Sequence, residues 1–274
     1  MRRDLLCLTG ICLLVLILGL PAHAQLIVGN DQSGTATIYD VNPTTGVATP
    51  LYSSTTSEAK PWGMAYDPAT NFLYWNNGSV LYRSPYQNPL VPQNLGGMTF
   101  NNASVNFVAL SFFNGRLWGT RNIATEAVYS IDVNTLQATQ EYVYPSAFDF
   151  GGLEHDQTTG ILYGLSDAAP AGGSVGLYEI NVIAQTTTFR APYPPGETDI
   201  DGLAVHNGIA YYVTDGPNTL QPNFYIYSVA TGTLLGTIPS PFTGSGTFSA
   251  ATWIPEPAAA VALLAGLAVL RRRW

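Results

Sequence analysis

The chain has 274 residues, 46% hydrophobic, 12% aromatic and only 10% charged, with a formal net charge of −8. Its 27 glycines, 19 prolines and lone lysine, Lys60, argue against a helical bundle or coiled coil, which need Ala, Glu, Lys and Leu in quantity. The two ends hold five of the ten basic and two of the eighteen acidic residues, so residues 25–254 carry five against sixteen, a net of −11; that balance excludes the basic footprint of a nucleic-acid binder.

In chain order, Met1–Ala24 has the three parts of a secretory signal. Arg2 and Arg3 give a positive start, residues 5–20 are almost wholly apolar, and Ala22-His23-Ala24 places small residues at −3 and −1 of a cut before Gln25. The short apolar run and the cut site favour cleavage by signal peptidase over an uncleaved anchor. Both cysteines, Cys7 and Cys12, fall in this segment, so the mature chain has none and must be stable through its core alone.

The body is read as a repeat of short strands. Residues 26–30 look like the second strand of a unit and 37–42 like its third, with no first strand before them. A first-strand type then recurs at 62–67, 108–112, 151–156 and 201–206, and its small residues Gly63, Ala109, Gly152 and Gly202 are 46, 43 and 50 positions apart. Second strands follow at 72–75, 116–119, 161–164 and 209–212, after hairpin turns such as 67–71 and 156–160, which are rich in Asp, Thr and Gly. Third strands are expected at 80–82, 128–132, 177–180 and 225–228, and weaker fourth strands follow, as at 141–144.

At the far end, residues 247–253 look like a first strand with nothing after it. Pairing it with 26–30 completes a blade and closes a ring without open sheet edges. The fold class expected is therefore all-β, a β-propeller of five blades of about 46 residues each. Six blades is the alternative, if residues 85–107 hide further strands. The Leu-Tyr-Trp and Leu-Tyr-Gly second strands, Leu73-Tyr74-Trp75 and Leu162-Tyr163-Gly164, with their Asp-led turns, resemble those of YWTD-type and quinoprotein-like propellers. That resemblance implies the fold and carries no family's function.

Pro255-Glu256-Pro257 ends the body, followed by residues 258–270 without a polar side chain and then Arg271-Arg272-Arg273-Trp274. The apolar run reads as a helix of about 20 Å, short for a bilayer core of about 30 Å. The three arginines belong on the cytoplasmic side, with the body outside. Together these features resemble the PEP-CTERM sorting signal found on exported proteins of Gram-negative bacteria that make exopolysaccharide. The resemblance implies a chain tethered in the inner membrane and facing the periplasm until an exosortase processes it near Pro-Glu-Pro, and then at the cell surface or in the extracellular matrix. The domains expected are thus 1–24, 25–254 and 255–274.

In a propeller, ligands sit where fourth strands lead into first strands and second into third. One loop set offers Lys60, Asn106, Asp149, Asp199 and Asp201, and the other Asp31, Asn77, Arg121, Asp167 and Asp215. Converging carboxylates suit Ca²⁺, which takes six to eight oxygen ligands, or the acid and base of glycoside hydrolysis; equally, Asp and Asn simply stabilise turns. No other cofactor is indicated. His155 and His206 are too few for a zinc site, no thiol survives maturation, and no Gly-x-Ser-x-Gly elbow or phosphate loop is present. Trp62, Trp75, Trp118 and Trp253 read as packing rather than sugar platforms. The function expected is a non-enzymatic module binding a glycan or protein partner in the envelope or exopolysaccharide. A secreted hydrolase or lyase using the acidic loops is the alternative, and a rigid spacer a third reading.

Overall fold

A computed structural model of the chain describes residues 24–144, 148–214, 223–241, 244 and 246–255. The signal helix and the C-terminal apolar helix expected from the sequence lie outside these residues, and among the described ones no helix is long and apolar enough to cross a membrane. Gln25–Ile254 forms one compact unit.

That unit is a five-bladed β-propeller, with five four-stranded antiparallel sheets among the described residues. Blade I consists of β1 (Gln25–Asn30), β2 (Ala36–Val41), β3 (Ala48–Ser54) and, as its innermost strand, β22 (Phe248–Ile254). Blade II is β4 (Gly63–Asp67), β5 (Phe72–Asn77), β6 (Val80–Pro85) and β7 (Gln93–Gly97). After a small hairpin, β8 (Thr99–Phe100) and β9 (Ala103–Ser104), blade III is β10 (Ala109–Phe113), β11 (Arg116–Thr120), β12 (Ala127–Ile131) and β13 (Ala138–Val143). Blade IV is β14 (Phe150–His155), β15 (Leu162–Ser166), β16 (Gly176–Asn181) and β17 (Thr186–Pro192), and blade V is β18 (Gly202–His206), β19 (Ile209–Val213), β20 (Asn223–Ser228) and β21 (Thr233–Pro239). The stretch suspected of hiding a sixth blade holds only β7 and the β8–β9 hairpin, too few strands for a sheet that buries both faces.

Ring closure follows the expected pairing. β22 runs antiparallel to β1, with Gln25 opposite Ile254 and Val28 opposite Ala251. At the other end of that pair the Asp31 carboxylate accepts from the Thr247 N–H at 3.0 Å and its hydroxyl at 2.5 Å. The Glu154 carboxyl, on β14, reaches across the ring to accept from the Thr252 hydroxyl at 2.9 Å.

The five inner strands surround the axis, and small residues let them do so. A Cβ added to Gly63 would stand 2.5–2.8 Å from the backbone of Ala109 and Leu110 on β10. At Gly151 it would stand 2.1 Å from an Asp201 carboxylate oxygen. Further out, aromatic and branched side chains fill the spaces between blades. Tyr74 stacks on Phe112 between blades II and III, and Phe224 meets Phe248 edge-on between V and I.

Every blade carries a register shift at the same place, between its third and fourth strands. The shifts follow Ile38, Leu81, Val128, Leu177 and Ile226, each immediately before a tyrosine. The extra residue always lies on the outer strand: Leu51, Leu95, Glu141, Arg190 and Leu235. A bulge there raises the local twist and spoils a flat edge against pairing with another chain.

Candidate functional site

Inner strands begin at one face of the ring, so the residues just before them, and those in the second-to-third-strand loops, meet there. Five of the carboxylates singled out from the sequence, Asp31, Asp149, Asp167, Asp199 and Asp201, line a single mouth of about 380 Å³. Asp31 is fixed by Thr247 across the closing blade. Asp149 and Asp167 face each other across the start of β14 and end of β15, where the Asp167 N–H donates to the Asp149 carbonyl at 3.2 Å. Asp201 lies against the bare backbone of Gly151. Trp62 and Asn122 complete the walls, and no basic side chain lines the mouth among the described residues.

Crowded carboxylates in partial burial resist ionising together. Asp167 is pushed up to about 6, first by burial and then by the charges of Asp149 and Asp199. One of its oxygens, Oδ1, is buried with no hydrogen-bond partner. Glu126, at the entry to β12, is buried behind the mouth and pushed up to about 8. Burial is the main cause; Asp149 and Asp167 add to it, while the Phe150 N–H, donating to Oε2 at 2.9 Å, opposes it. A protonated carboxyl at Glu126 thus stands beside ionisable ones.

A second cavity of about 440 Å³ adjoins the first and shares Trp62, Val108 and Asn122 with it. Here lie Arg121 and Asn106, also singled out from the sequence, together with Ser104 and Ile123. The Arg121 guanidinium lies 5.7 Å from the centroid of the Tyr129 ring, and its Nε is buried with no acceptor.

Other expected site residues fall elsewhere. Lys60 lines neither cavity; its main-chain carbonyl accepts from the Asn77 side chain at 2.8 Å, which commits Asn77 to the shape of the loop. Asp215 lies outside the described residues, as do Glu256, Pro257, Arg271, Arg272 and Arg273; Pro255 directly follows β22. Among the described residues no group of three or more His, Cys, Asp or Glu side chains is arranged to hold a metal ion. His155 is a packing residue: its ring lies on Phe113 at 4.8 Å, Nδ1 meets the Ser111 hydroxyl at 3.0 Å, and burial drives it down to about 3.

Trp62 corrects the reading of the tryptophans as packing. β4 starts at Gly63, so Trp62 stands in the loop before it and walls both cavities. Trp75 conforms to that reading: it is fully buried and donates its N–H to the Glu58 carbonyl at 2.7 Å. Glu126 was not singled out from the sequence. The available signal was positional, since the residue before the third strand is Thr35, Ser79 and Val175 in three other blades and an acid only here.

The chain is similar in structure to one from a nidogen/laminin complex, with a TM-score of 0.59 and 11% identity over 84% of this chain and 98% of that one. It also matches hydrazine synthase of Kuenenia stuttgartiensis (TM-score 0.43, 10% identity, 65% of this chain and 49% of that one). A third match is the WD40 propeller domain of Doa1 (TM-score 0.43, 12% identity, 80% and 79%). No family model matches the chain, and no curated protein matches its sequence. At such identities the likeness is one of fold alone: the body is a β-propeller.

Proposed function

We propose that this chain is an exported β-propeller binding module whose acidic mouth takes a glycan of the cell envelope or exopolysaccharide. The observation that carries the reading is the convergence of five aspartates on one cavity with Trp62 in its wall. Carboxylates accept two hydrogen bonds each from paired sugar hydroxyls, and an indole face covers the apolar side of a sugar ring. A cavity of about 380 Å³ suits one or two sugar units rather than a long segment of protein. The sequence of the two ends supports export and sorting: signal peptidase acts at Ala24, and the Pro-Glu-Pro tail tethers the chain for an exosortase. Binding of the full-length chain to immobilised exopolysaccharide of its host tests the reading. The Asp199→Asn/Asp201→Asn double variant should lose about tenfold or more in affinity; unchanged binding by that variant, or none by the parent chain, would overturn it.

A hydrolytic reading is favoured by one observation, the proton held by Glu126 beside the carboxylates of the mouth. A carboxylic acid kept neutral near pH 7 next to an ionised one is the arrangement of glycoside hydrolysis. Turnover of a polysaccharide that disappears in Glu126→Gln would replace the binding reading.

A further inference from the structure

A third cavity, of about 320 Å³, lies between blades III and IV on the face of the ring opposite the mouth, where first strands turn into second strands and third into fourth. Phe113, Trp118, Ile161 and Ile183 give it apolar walls, and Ile183 is 97% exposed. Asn114, Glu179 and Asn181 add polar side chains to the same lining. His155 completes it, and is only 4% exposed: Phe113 lies parallel to its ring at 4.8 Å, and Trp118 stands at 5.4 Å.

The hydrogen bonds of His155 settle which way its proton points. Burial keeps the ring neutral, so one nitrogen carries a hydrogen and the other accepts. The Ser111 hydroxyl oxygen already accepts from the His155 N–H at 2.7 Å and lies 3.0 Å from Nδ1. The neighbouring Glu154 carboxyl is raised well above the ordinary carboxylate range by burial, so it holds its own proton and offers Ser111 no charged acceptor. Ser111 therefore donates to Nδ1, and the imidazole hydrogen sits on Nε2. That edge of the ring has no partner among the described residues and keeps accessible surface. A donor on a nearly buried ring among apolar walls matches a neutral acceptor flanked by apolar atoms. An anionic acceptor would be opposed by the Glu179 carboxylate in the same lining.

We propose that this cavity is a second binding site, for an N-acetyl amino sugar, whose acetamide carbonyl accepts from His155 Nε2 while its methyl packs among Phe113, Ile161 and Ile183. Trp118, its indole N–H held by the Phe113 carbonyl at 3.3 Å, offers apolar surface to the sugar ring. The Asn181 side-chain oxygen is taken by the Ala184 N–H at 2.8 Å, which leaves its amide hydrogens to donate to hydroxyls; Asn114 and Glu179 supply further partners. The volume suits one sugar unit rather than a strand of peptide. The site shares no residue with the aspartate mouth and stands apart from the glycan reading made there.

Four probes separate the groups: the methyl glycosides of N-acetylglucosamine, glucosamine and glucose, and N-methylacetamide, which carries the amide without a sugar. The chain has three histidines, so the full-length protein labelled with ¹⁵N-histidine gives three imidazoles to follow by NMR. His155 should show the hydrogen on Nε2, and the N-acetylglucosaminide should shift that signal, binding about tenfold more tightly than each other probe. His155→Phe, which keeps a ring beside Phe113 and Trp118, should erase the preference for the acetamide over the free amine, with thermal melts establishing that it is folded. If that variant does not fold, the ranking of probes and the Nε2 shift in the parent chain decide. A hydrogen on Nδ1, equal binding of the glucoside, or a folded His155→Phe that keeps the preference overturns the proposal. N-methylacetamide binding as well as the sugar overturns it too, in favour of an acetylated peptide.

Discussion

Glu126 and His155 pull the pH dependence of stability in opposite directions, and the two can be separated. The carboxyl of Glu126 is raised from 4.5 to about 8, mainly by burial. Its contribution to stability is full below 4.5 and is lost as pH rises through about 8. His155 is lowered from 6.5 to about 3, so its contribution is present above 6.5 and lost as pH falls. Between about pH 7 and 8 the histidine is mostly neutral in both folded and unfolded chains and Asp167, raised only to about 6, is mostly ionised in both, so Glu126 dominates. The melting temperature should therefore fall across that window, and Glu126→Gln should flatten the slope; a parent curve that is level or rising would contradict the burial of a protonated Glu126. The aspartates of the mouth were legible in the sequence because each sits within three residues before an inner strand or directly after a second strand. Glu126 was not, because what makes it special is a hydrogen bond to Phe150 in the next blade, which no local pattern records. Trp62 was misread for a related reason: one residue of strand boundary decides whether an indole packs in the core or walls a cavity.

At the scale of the strand, small residues on the inner edge fix how closely blades meet. Gly63→Ala would drive a methyl into the backbone of β10, which cannot swing aside as a side chain could. We expect a loss of about 1–3 kcal/mol in urea unfolding, typical of overpacking. Gly236→Ala, on the outer strand β21 with nothing within 4 Å of the added methyl, should change stability by less than about 0.5 kcal/mol. First, second and third strands were legible because aromatic and branched residues mark them on both faces. Fourth strands were faint, and the bulge explains it. One extra residue at Leu51, Leu95, Glu141, Arg190 or Leu235 shifts the alternation by one halfway along, so no single period runs through the strand. The stretch expected as a strand at 141–144 belongs to β13, which starts earlier, at Ala138, ahead of the extra residue Glu141.

For the molecule as a whole, closure replaces the cross-links that a propeller without cysteines lacks. β22 contributes the inner strand of blade I, the partner of Asp31 and the partner of Glu154. A chain ending at residue 246 should lose all three and expose the edge of β1, giving aggregation in size-exclusion chromatography rather than a folded monomer with a lower melting point. The repeat length and the incomplete first and last units made this closure readable in the sequence. The register of that closing pair also sets a direction. Gln25 and Ile254 are opposite one another at one end of the β1–β22 ladder, while Asp31 and Thr247 mark the mouth at the other. Gln25 and Ile254, the two ends of the β-propeller unit, therefore lie on the side of the ring facing away from the mouth. A surface that captured the propeller through residue 25 or residue 254 would thus leave the mouth open on the far side.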